Sequence, residues 1–180
     1  FDFTGPFTEE PSTGDGNSIN FNSTSTSATI TNNGTMNAKG GLQIYSPVTI
    51  TNNSSMQASD RAITFLSGSS GSSVVANSSI NGNYSGIKIN SGVTIDSITI
   101  ASGKRIGGST VMGIENFGTI TNLTNNGEIY SGRYNGGYGV TGSNALSMFN
   151  GSVVTNLVNR GTIYGSSNQY SIGGNVPYTI

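Results

Sequence analysis

The chain has 180 residues, enough for one or two domains, with 8% charged residues against about 25% in an ordinary soluble domain, and a formal net charge of −1. Hydrophobic content is also low at 33%, but so near-neutral a chain lacks the high net charge of a disordered polymer. With no Cys and no His, disulfides, thiolate metal sites, the usual zinc ligand and any Ser-His-Asp triad are excluded.

Residues 1–26 stand outside the repeats that follow. Phe1, Phe3 and Phe7 cluster before Pro11, Gly14 and Gly16, and the segment reads as an N-terminal cap or tether. The chain begins at Phe1 without a signal-peptide pattern, which reads as a mature segment or a piece of a longer protein. From about Ala28 onward, short alternating runs predict strands. They are ATIT at 28–31, LQIY at 42–45, VTIT at 48–51, AITFL at 62–66, IKI at 87–89, VTI at 93–95 and SITI at 97–100. Asn-Gly and Asn-Ser pairs between them supply the corners. No stretch approaches the apolar length of a membrane span.

The runs repeat. TITNNGTM at 29–36 returns as TITNNSSM at 49–56. IENFGTITNLTNNGEIY at 114–130 returns as MFNGSVVTNLVNRGTIY at 148–164, aligning Ile114 with Met148, Ile120 with Val154, Leu123 with Leu157, and Tyr130 with Tyr164. Met36, Met56, Ile80 and Ile100 mark successive coils of twenty to twenty-four residues. A fixed period of this length predicts an all-β, right-handed parallel β-helix over 27–180, since parallel crossovers are almost always right-handed. A β-sandwich explains short strands equally well but not the period. The second repeat is offset by about fourteen extra residues. These form an excursion at 131–144, SGRYNGGYGVTGSN.

Stacked coils set equivalent residues about 4.8 Å apart and predict three ladders. An apolar ladder runs Ile30, Ile50, Ile95, Ile120 and Val154; with Leu123, Leu157 and Ile163 these are the predicted core. An asparagine ladder sets Asn32-Asn33 over Asn52-Asn53, and Asn122 over Asn156. A threonine ladder places Thr29 and Thr31, Thr49 and Thr51, and Thr119 and Thr121 on the outside. It breaks at Asp96 and Val153.

Candidate binding residues are Arg133, Tyr134 and Tyr138 in the excursion, with Tyr130 and Tyr164 beside it. Exposed Tyr on a Gly-rich loop stacks on sugars or fills a partner's pocket; the plainer reading stacks Tyr130 over Tyr164 along the rod. The acids Asp60, Asp96, Glu115 and Glu128 come singly, and Asp60-Arg61 reads as a surface ion pair. Asp96 and Glu115, one coil apart, are candidate near neighbours, but they come as single residues and not as a paired motif. Scattered cations argue against nucleic acid. No cofactor or metal is expected.

The phrases GTITNLTNNGEIYSG and VVTNLVNRGTIYGS resemble the repeats of bacterial autotransporter passenger domains of Campylobacter and Helicobacter type. The resemblance spans about residues 28–175. It implies display at the cell surface through a C-terminal barrel. The work is then adhesion to a host-cell or neighbouring-cell protein or glycan, or self-association, without catalysis. The alternatives from other classes are a polysaccharide-degrading β-helix enzyme and an ice-binding β-solenoid.

Overall fold

A computed structural model describes residues 2–3, 7–8, 18–24, 28–132, 144–165 and 172–174. Its elements are 21 strands, and they form three seven-stranded parallel sheets. The first sheet holds β1 (Asp2–Phe3), β4 (Ala28–Asn32), β7 (Val48–Asn52), β10 (Ser72–Ala76), β13 (Thr94–Ile100), β16 (Thr119–Asn125) and β19 (Val153–Asn159). The second holds β2 (Phe7–Thr8), β5 (Met36–Ala38), β8 (Met56–Ala58), β11 (Ile80–Gly82), β14 (Arg105–Gly108), β17 (Glu128–Ser131) and β20 (Thr162–Tyr164). The third holds β3 (Ile19–Phe21), β6 (Leu42–Ile44), β9 (Arg61–Phe65), β12 (Ser85–Ile89), β15 (Met112–Asn116), β18 (Leu146–Met148) and β21 (Ile172–Gly174).

Each strand pairs with the strand three elements later, so one turn of chain visits all three sheets. This is a parallel β-solenoid. Twenty residues separate Asn32 from its partner Asn52, 24 separate Ser73 from Ser97, and 34 separate Asn122 from Asn156. The last interval contains the excursion, of which residues 133–143 lie outside the described residues. Within 1–26 the described strands lie in the three sheets: β1 pairs β4, β2 pairs β5 and β3 pairs β6.

The core is one column of side chains enclosed by the three sheets. Period-two alternation puts Ile30, Ile50, Val74, Ile98 and Leu123 inside on the first sheet, each 0–1% exposed. Met36, Met56, Ile80, Ile106 and Ile129 do the same on the second, and Leu42, Ile63, Ile87, Ile114 and Leu146 on the third. Asn32 and Asn52 close the first corner. Asn32 Nδ2 donates to Asn52 Oδ1 at 2.6 Å and to the Ser54 carbonyl, while Asn52 Nδ2 reaches the Ser78 and Ser79 carbonyls. Buried corner carbonyls are thereby satisfied by the ladder itself.

Four details of the expected stacking are corrected. Ile50 is followed by Val74, Ile98, Leu123 and Leu157, whereas Ile95, Ile120 and Val154 form a second ladder beginning at Ser72. The cause is length: β13, β16 and β19 have seven residues where β4 has five, and a register shift at Ser72/Ser73 leaves Asp96 unmatched. Ile80 is followed by Ile106, not Ile100, because Ile100 still belongs to the lengthened β13. Ile114 pairs with Leu146 and Asn116 with Met148, a shift of two from the sequence alignment. The corner Phe149–Ser152 is two residues longer than Phe117–Gly118, and Gly151 turns it with φ of 80°. Val154, Leu157 and Ile163 are half-buried, not buried, since β19 and β20 end their sheets.

Ile50→Ala should cost about 2–5 kcal/mol, and Ile50→Asp should leave the chain unfolded, as an unpaired charge in this narrow core has no water to reach. Leu157→Ala, in the half-buried final coil, should cost clearly less than Ile50→Ala. Urea denaturation followed by circular dichroism checks the order; equal losses would mean that the end coil is as enclosed as the middle.

Candidate functional site

Among the described residues the interior is filled by core side chains, so the outer faces are where a partner would meet them. Outward positions also form ladders. On the first sheet two columns flank the buried one. The first is Thr29, Thr49, Ser73, Ser97, Asn122 and Asn156; the second is Thr31, Thr51, Val75, Thr99, Thr124 and Val158. From β4 to β19 neither column contains a charge; Asp2 of β1 is in register with Thr31, and Asp96 is exposed on β13 beside the first column. Ser97 Oγ donates to Ser73 Oγ at 3.0 Å and Asn156 Nδ2 to Asn122 Oδ1 at 3.0 Å. A third ladder borders them, with Asn77 donating to Asn53 at 2.9 Å and Asn53 to Asn33 at 2.8 Å. The expected threonine array is thus longer than its repeats suggested, because its later members are Ser73, Ser97, Thr99 and Thr124 instead of Thr119 and Thr121. Asn122 and Asn156 are exposed members of this face; the corner role falls to Asn125 and Asn159, joined at 2.8 Å.

The second sheet carries Tyr130 and Tyr164. Its strands show only two to four residues, and from β5 to β20 the outward column reads Asn37, Gln57, Asn81, Gly107, Tyr130 and Tyr164. Tyr130 lies across Gly107: a Cβ there would fall 1.9 Å from its Cε1. Only glycine leaves room for the ring, and the ring's hydroxyl reaches past it to donate to Asn81 Oδ1 at 3.0 Å. Tyr164 stacks on Tyr130 with centroids 6.0 Å apart and stays 40% exposed. Arg105 sits 5.2 Å from the Tyr130 ring, and its register partner is Glu128. The structure therefore brings Tyr130 and Tyr164 together in the plainer of the two ways anticipated. Arg133, Tyr134 and Tyr138 lie outside the described residues.

The third sheet holds a cluster that the sequence showed only in part. Arg61 bonds Asp60 at 3.1 Å as expected, but its main partner is Glu115, two strands away, at 2.9 Å from Nε. Ser85, on the strand between, donates to the same Glu115 oxygen at 2.6 Å. Tyr84 lies 4.4 Å from the guanidinium. Glu115 is 2% exposed, and these contacts supply donors to both of its carboxylate oxygens. Burial works against the Arg61 charge, yet the hydrogen bond and charge of Glu115, then of Asp60, outweigh it and hold the guanidinium pKa above its ordinary value. Asp96, exposed on the first sheet, is not a neighbour of Glu115. Phe117 and Phe149 also stack, 3.9 Å apart, with Lys88 Nζ 5.3 Å from the Phe117 ring. The repeat alignment hid this pair by setting Phe117 against Gly151. No group of three acidic residues suited to a metal occurs among the described residues.

Comparison with protein-family models, curated proteins and solved structures gives no match.

Removing Arg61 strands the Glu115 carboxylate in a nearly closed site. Arg61→Met should therefore cost about 3 kcal/mol or more, with Glu115→Leu in the same chain recovering most of the loss. A double-mutant cycle by denaturant titration measures this; two independent, additive losses would contradict the pairing.

Tyr130 gives a pH signature. Burial raises its pKa, Arg105 opposes that, and Tyr164 and Glu128 add to the rise. The folded state thus favours the neutral phenol. Its contribution is complete below the unfolded value of about 10 and is lost as pH rises through the higher folded value. Stability against pH above about 10 should fall less steeply in Tyr130→Phe than in the parent chain, as read from denaturation midpoints at stepped pH. Identical slopes would mean that Tyr130 ionises as freely in the fold as in the open chain.

Proposed function

We propose that this chain is a non-catalytic stretch of a bacterial cell-surface passenger, and that it works in cell-to-cell association through the outer face of its first sheet. The observation that carries the reading is the pair of uncharged columns running from Thr29 and Thr31 to Asn156 and Val158. Hydroxyl and amide groups both donate and accept. From β4 to β19 the two columns meet a second copy of themselves without like-charge repulsion, Asp96 standing beside the first column. The repeats' resemblance to autotransporter passengers supports display at the cell surface.

Magnitude decides how such a face would act. Six strands about 4.8 Å apart and two columns about 7 Å apart cover on the order of 400 Å² per partner. That is half of the ~800 Å² per partner of a standard stable interface. A single pair of rods would therefore associate weakly, while many rods tethered on two facing cells would hold by avidity.

The same columns bear on the ice-binding reading. It is less well supported, because the first column passes from Thr to Ser to Asn and so keeps no constant hydroxyl lattice. For the polysaccharide-enzyme reading, the carboxylate of Glu115 is already occupied by Arg61 and Ser85.

Thr51→Lys with Thr99→Lys tests the proposal. The two positions lie on β7 and β13, separated by β10, so the new charges do not stack on each other. Beads or cells displaying the parent chain should clump, and those displaying the double variant should clump at least tenfold less, with unchanged circular dichroism. Mixing the Lys pair with Thr51→Glu/Thr99→Glu should restore clumping. Clumping that ignores all four substitutions would rule out this face.

A further inference from the structure

We infer that the outer column of the second sheet is a binding strip for a neutral oligosaccharide, with Tyr130 and Tyr164 as its aromatic end and Asn81 and Gln57 as its amide end. The strip stands on a different sheet from the association face and does not depend on that reading.

Four observations carry it. First, both rings face outward although Ile129 and the half-buried Ile163 on the same strands pack into the core, so the tyrosines are not there to fill it. Second, the platform is preset. Gly107 clears the position beneath Tyr130, Asn81 fixes its hydroxyl at 3.0 Å, and Tyr164 rests on it with much of its ring open to solvent. A side chain already held in place loses little freedom when a ligand arrives. Third, the column continues with amides at the coil spacing of about 4.8 Å. Gln57 is exposed and Asn81 half-exposed, in register below Gly107. An amide offers two donors and an acceptor, which suits a ligand whose hydroxyls do both. Fourth, the charges beside the rings cancel. Arg105 and Glu128 are register partners on adjacent strands and offset each other, and the column itself holds no charge; the exposed Lys104 and Arg160 stand at the preceding corners.

A protein partner fits this surface less well. The strip is one residue wide, and it lacks the broad apolar centre around which protein interfaces form. Apolar sugar faces against tyrosine rings, with polar edges on amides and on the Arg105–Glu128 pair, match its width and chemistry. A linear chain lying along the solenoid axis would meet one outward side chain per coil.

The test uses the whole chain and three neutral probes: cellotetraose, maltotetraose and tetra-N-acetylchitotetraose. Saturation-transfer NMR and tyrosine fluorescence follow binding. At least one probe should bind saturably at sub-millimolar to millimolar concentration. Tyr164→Ala, on an exposed side chain, should weaken it at least tenfold, and Gln57→Ala, three coils from β17, should weaken it measurably with the fold intact. The Thr51→Lys/Thr99→Lys variant should bind as the parent does, which separates this site from the association face. No saturable binding of any probe overturns the inference. So does binding that Tyr164→Ala and Gln57→Ala leave unchanged. Selective binding of a sulfated chain such as heparin, with none of the three neutral probes bound, overturns it as well.

Discussion

Parallel, in-register pairing between successive coils is the constraint on which everything else depends. Once Ile30 lies over Ile50, every neighbouring position is also stacked on its equivalent, at about 4.8 Å. Like residues therefore meet like. For Ile, Thr and Asn that is favourable, through packing, methyl contact and amide hydrogen bonds. For charges it is not: two like charges about 4 Å apart repel by about 1 kcal/mol even in water, and by more near a surface. This accounts for the composition. A chain that stacks equivalent residues cannot carry many charges unless successive rungs alternate in sign, as Arg105 and Glu128 do.

The same constraint divides the molecule into three outer faces of different chemistry. Short strands on the second sheet expose one or two residues each, and these change gradually from amide to aromatic along the rod. Longer strands on the first sheet expose two or more residues each, and from β4 to β19 both columns are uncharged, with Asp96 exposed beside them. The third sheet departs from like-on-like stacking, because Arg61, Ser85 and Glu115 are drawn from three successive strands to form one heterogeneous cluster. That cluster exchanges solvation for a specific cross-coil link. It links three coils, since each oxygen of Glu115 accepts from Arg61 and one accepts from Ser85 as well.

Repeat proteins of this kind tolerate variation at corners because a corner touches only its neighbours. The extra two residues of Phe149–Ser152 shift the incoming strand by two places, and Gly151 absorbs the turn. Beyond the corner, β19 returns to register with β16, pairing Ile120 with Val154 and Leu123 with Leu157. Local insertions are thus erased by the next run of backbone pairing. The shifted corner has a consequence of its own, since it brings Phe149 onto Phe117.

The sequence by itself determined the strand class, the parallel solenoid, the coil length, and the partners along most of the phrases that two coils share, though not at Ile114. Thr29–Asn32 against Thr49–Asn52 and Asn122–Tyr130 against Asn156–Tyr164 are legible because identical spacing leaves one register. It also placed Tyr130 on Tyr164 and paired Asp60 with Arg61. Tertiary structure alone decided which residues continue a ladder when strands change length. The order Ile50, Val74, Ile98 depends on a bulge at Asp96, and a bulge adds a residue without leaving a periodic trace. It also decided that Glu115 would bind Arg61, 54 residues away, for that contact spans two coils and arises from side chains of different type that no repeat aligns. The room for the Tyr130 ring was equally hidden. Gly107 reads in sequence as one more turn-former, and only the stacking of three strands shows that its missing side chain makes space for a ring one coil further on.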